Sequence, residues 1–148
     1  MLAAAMRTNV SFRYPVEFVP LPEDGILAVS GADWFVALLQ RVEGLTVDPK
    51  LCQEDWGVVV FVERAGKRFW IGLSFWPDDE PAWLAHFHHA SLGWLQRWST
   101  SGTRELRRLI GDIHSMLAAE PMAGAIAWYR ETDVKKTEAT SSATPDAP

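Results

Sequence analysis

Three histidines within four positions, His86, His88 and His89, are the residues whose type and spacing come nearest to a chemical site in this 148-residue sequence. Residues two apart on a strand point the same way, and two imidazoles joined by a carboxylate make a zinc or non-haem iron set. Asp78, Asp79 and Glu80 stand close by. A metal would need these ligands to converge on one point, and the spacing does not bring them there. A hydrogen-bonded or solvated polar face is therefore the expectation, with no metal and no cofactor assigned. His114 falls one step beyond the apolar position Ile113, at the margin of a helical stripe.

Nucleophilic catalysis finds little to work with. Cys52 is the single cysteine and has no evident activating neighbour. The chain contains no G-x-S-x-G elbow, phosphate loop or G-x-G-x-x-G turn. The adjacent acids Glu54 and Asp55 read as solvated groups at a strand entrance. No catalytic residue is assigned, and a non-enzyme is the preferred reading.

Tryptophan is the compositional anomaly, with eight in the chain. Trp70 and Trp76 fall on one side of a strand, and indoles bury a large area at low rotamer cost, which is why they concentrate in binding interfaces. Arg64 and Arg68 lie near them in sequence, where they could anchor an acidic group, and the Asp78–Glu80 run offers an acidic edge. The candidate binding residues are thus Trp70, Trp76, Arg68, Asp78, Asp79 and Glu80. The competing expectation is that residues 90–101, which carry Trp94 and Trp98, fold over this side as a second small core.

The elements that must position these groups centre on residues 56–76. Phe69, Ile71, Leu73 and Phe75 alternate with Arg68, Trp70, Gly72, Ser74 and Trp76, so the first set is core. The preceding strand is apolar on both sides, Val58, Val60 and Val62 against Val59 and Phe61, and its facing depends on the loop length, since a one-residue slip flips a strand. A three-residue loop, Arg64 to Gly66, is preferred because Ala65 suits positive φ poorly. That register puts Val59 and Phe61 in the core.

Elsewhere, 10–14 reads as a short edge strand before Pro15. A helix starts at an N-cap, Ser30, and stops at Gly44. Residues 45–55 read as a surface connection and 77–81 as an acidic loop. Residues 82–89 form a strand or a short helix, and 90–101 a helical turn or a loop. Leu106, Leu109, Ile110, Ile113, Met116 and Leu117 make one stripe of a long helix from about Thr103, with Arg104, Glu105, Arg107, Arg108 and Asp112 outside. Residues 125–130 read as a last strand. The fold class is α+β: a mainly antiparallel sheet of four to five strands with two long helices packed on one face. One domain spans 1–131, and 132–148 read as a disordered tail.

Composition narrows the partners. A net charge of −5 and a pI near 5.3 argue against nucleic acid and allow a basic partner. No apolar run approaches the ~20 residues of a membrane span. The lone cysteine and the absence of a secretory signal pattern agree with a reducing, cytoplasmic setting.

The runs EDWG (54–57) and FWIG (69–72), and the closing helix through Ile113-His114 into Trp128-Tyr129, resemble small single-domain bacterial α+β proteins of uncharacterised function. That group includes some toxin immunity proteins. The resemblance spans roughly 10–131 and carries no catalytic residues. It implies an immunity-like binding protein, engaging a protein partner or a second copy through an aromatic sheet face or an acidic edge. The alternative is a metal-dependent hydrolase or small-ligand-binding protein using His86 and His88.

Overall fold

A computed structural model describes residues 6–16, 31–76, 82–90, 100–130 and 141–145. In chain order the elements are β1 (Asn9–Arg13), α1 (Asp33–Gln40), β2 (Thr46–Val47), β3 (Cys52–Glu54), β4 (Gly57–Arg64), β5 (Lys67–Trp76), β6 (Ala82–His89), α2 (Thr100–Ala119) and β7 (Gly124–Tyr129). The fold is α+β, with one antiparallel sheet of seven strands in the order β2-β4-β5-β6-β1-β7 and β3 also on β4.

The sheet exceeds the expected four to five strands because 45–55, read as a plain connection, supplies two short strands. Both pair with β4, Thr46 opposite Glu63 and Cys52 opposite Val59. The stretch 82–89 is a strand throughout. β1 is not an edge. It lies between β6 and β7, with Val10 opposite Ala85 on one side and Trp128 on the other.

The β4–β5 turn corrects the register. Ala65 (φ 52°) and Gly66 (φ 71°) both adopt positive φ in a two-residue loop, and Arg64 pairs with Lys67. Val62 therefore faces Phe69, Val60 faces Ile71 and Val58 faces Leu73. The valine trio, not Val59 and Phe61, joins the core. Each fully buried aliphatic or aromatic side chain contributes about 1.5–3 kcal/mol. That outweighs the smaller strain of an alanine at positive φ, at most about 1–2 kcal/mol.

One buried cluster unites this side of the sheet with Phe35, Val36, Leu38 and Leu39 of α1 and with Leu106, Leu109, Ile110, Ile113 and Leu117 of α2. Phe12 of β1 stacks on Phe35 at 6.2 Å, and Trp34 meets Trp83 of β6 edge-on at 5.7 Å. The Trp128 indole N–H donates to His114 Nδ1 at 3.0 Å, joining β7 to α2. α1 is only eight residues long, so a single long helix is present among the described residues. Its N-cap is Ala32 without a side-chain bond, and the expected cap, Ser30, lies outside the described residues.

α2 begins at Thr100, a turn earlier than its stripe indicates. Glu105 is buried, not on the outside: Arg64 Nε donates to its carboxylate at 2.5 Å, and Arg64 Nη1 donates to Asp112 at 2.6 Å. Burial works against the Arg64 charge, but the hydrogen bonds to Asp112 and Glu105 outweigh it and hold the pKa above the ordinary guanidinium value. In the stretch read as a tail, Ser142 exchanges backbone hydrogen bonds of 2.7 and 2.9 Å with Trp128 at the outer edge of β7.

Candidate functional site

The face opposite the cluster is built in rows. Val59, Gly72, His86, Asn9 and Tyr129 stand side by side across β4, β5, β6, β1 and β7, and beside them Phe61, Trp70 and His88 form a second row. Strand alternation puts Trp76 on the same side as Trp70. Trp76 and Trp56, the latter in the β3–β4 turn, are each 45% exposed, whereas Trp70 is half-buried.

Gly72 makes the arrangement possible. A Cβ at this position would lie 2.1 Å from His86 Nε2 and 2.8 Å from Cη2 of Trp56. The missing side chain lets the imidazole lie down on the strand, with the Trp56 indole tilted beside it at 5.0 Å. Trp70 meets His86 edge-on at 5.4 Å and stacks on His88 at 4.1 Å.

His86 Nδ1 and His88 Nε2 are 2.8 Å apart, so one ring nitrogen donates to the other. Burial, and then the neighbouring His88, push the His86 pKa down to about 4. His86 is thus neutral near pH 7 and hydrogen-bonded to His88. Among the described residues no group of three or more His, Cys, Asp or Glu could hold a metal ion. His89 points the other way and packs against Phe69 at 5.5 Å.

Beside the histidines lies an open groove of about 440 Å³, lined by Glu54, Trp56, Val59, Phe61, Trp70, His89 and Ala90. A second depression of about 330 Å³ shares Phe61 with the groove and is lined also by Asp48, Glu63 and Arg68. The Arg68 guanidinium sits over the Phe61 ring, 5.2 Å from its centroid.

Of the residues singled out from the sequence, Trp70, Trp76 and Arg68 share this face. Arg64 does not: it is buried on the opposite side in its ion pairs with α2. Asp78, Asp79 and Glu80, and residues 91–99 of the 90–101 segment expected as a competing cover for the tryptophans, lie outside the described residues. Sequence reasoning missed Trp56, Phe61, Glu54 and the role of Gly72. The signal for Gly72 was a glycine inside an otherwise β-branched and aromatic strand, which marks a close approach.

Comparison with protein families, characterised proteins and solved structures found no match to this chain. No helix among the described residues is long and apolar enough to cross a membrane.

Proposed function

We propose that this chain is a non-enzymatic protein-binding domain that docks its partner on the aromatic face of the sheet. On this reading both helices roof the opposite face, and the Trp56, Trp70 and Trp76 side is left for a second protein. The observation that carries it is the exposure of two indoles on one sheet face, when the rest of the large aromatics of the sheet are buried or half-buried. Exposed aromatic surface of this kind gains most when a partner removes it from water. Arg68 stands at the rim, as charged residues do around an interface centre. The resemblance to immunity proteins supports the same class of activity, in a cytoplasmic setting that the single cysteine suits.

The test is a selection of displayed peptides against the pure protein, followed by measurement of each binder on the Trp56→Ser/Trp76→Ser variant. Both positions are half exposed, so the variant should keep its fold, checked by circular dichroism. Binders should lose about tenfold or more in affinity, the effect of removing hot-spot aromatics. Binders that hold the variant as tightly as the wild type would remove this face from consideration. The alternative, a metal-dependent hydrolase using His86 and His88, is tested by elemental analysis and by thermal shift with zinc. Stoichiometric metal held by the wild type and lost in His88→Ala would favour it.

A further inference from the structure

We infer that the groove between Trp56 and Phe61 is a subsite for a cationic side chain, a lysine or arginine carried by the protein partner. This rests on the reading of the face as a binding surface and goes further, naming the chemistry that one part of it accepts. Three aromatic rings, Trp56, Phe61 and Trp70, line the groove, and the one carboxylate among its described lining residues is that of Glu54. The faces of indole and benzene rings carry the negative end of a quadrupole and attract a cation within about 6 Å of the centroid. Aromatic and apolar walls with one carboxylate among them are complementary to an alkyl stem ending in a positive charge.

Two further observations point the same way. Phe61 holds the guanidinium of Arg68 5.2 Å from its centroid, so the ring accepts a cation, and Arg68 lines the second depression and not this groove. His86, beside the groove, does not oppose a positive charge, since it remains neutral well below pH 7. The chain as a whole carries −5, which steers a basic segment toward it.

The experiment follows the indole N–H signals of Trp56 and Trp70 by NMR while acetyl-Gly-Arg-Gly-amide and acetyl-Gly-Lys-Gly-amide are added to the full chain. The citrulline peptide, equal in shape to the arginine peptide but uncharged, is the control, with a leucine peptide and choline as further arms. A saturable shift is expected with the basic peptides, and binding weaker by about fivefold with citrulline, from the loss of one exposed cation–π contact. Glu54→Gln and Trp56→Leu should each weaken the basic peptides by about threefold or more. Met122→Ala, at an exposed position in the turn after α2, should leave them unchanged, because Met122 does not line the groove.

Equal binding of the citrulline or leucine peptide would overturn the cationic subsite and leave the binding face standing. Tighter binding of choline than of either basic peptide would overturn it in favour of a small ligand. No response to any of the five probes would overturn the groove as a subsite. Failure of the parent reading is separate: it shows only in the displayed binders that ignore the Trp56/Trp76 variant.

Discussion

Replacing Gly72 by alanine tests the physical basis of the whole face, because two arguments about this substitution have opposite signs. If the position were open, alanine would stabilise the strand by about 0.5–1 kcal/mol, since glycine loses more backbone entropy on folding. The structure leaves no room. The new methyl would sit 2.1 Å from His86 Nε2 and 2.2 Å from Cε1, well inside contact distance. The His86 ring must lift, which breaks its hydrogen bond to His88 and pushes Trp56 aside. Overpacking of this kind costs about 1–3 kcal/mol. The net expectation is a loss of about 1–2 kcal/mol, or roughly 2–8 °C in Tm for a chain of this size. Urea and thermal unfolding read the stability, and NMR titration reads His86. In the wild type His86 titrates near 4; lifted into solvent, it should return toward the ordinary 6.5. A variant that is more stable than wild type, with His86 still titrating near 4, would refute the packing described for this face.

Arg64→Ala should destabilise by about 3–5 kcal/mol, because it strands the buried Glu105 carboxylate, and urea unfolding measures it. Asp112→Ala should cost no more than about 1 kcal/mol, since that carboxylate is 54% exposed. Acid should weaken the fold through His86. Its folded pKa of about 4 lies below the unfolded 6.5, so its contribution is complete above pH 6.5 and is lost as pH falls toward and through 4. Unfolding midpoints measured from pH 7 to 4 should show this slope, and His86→Gln should flatten it. Ala65→Asn, which suits the two positive-φ positions of a two-residue hairpin turn, should stabilise by about 0.5–1 kcal/mol, read as a raised urea midpoint at unchanged m-value.

Much of the architecture was determined by local pattern. The alternation of Phe69, Ile71 and Leu73 with Trp70 and Gly72 specified the two faces of β5, and the stripe from Leu106 to Leu117 specified the buried side of α2, because side-chain periodicity is a property of the backbone alone. The pairing of the elements was not determined in this way. β4 is apolar on both sides, so its two registers look alike until the valine trio is set against the helices. The same one-residue shift decides whether Arg64 stands near the tryptophans or under α2. β1 became an inner strand only because β7, more than a hundred residues later, pairs with its free edge. The touching of His86 and His88, and the seat of Trp56, depend on the gap left by a glycine on the neighbouring strand. Such contacts join residues far apart in the chain, and only the closed tertiary structure brings them within reach.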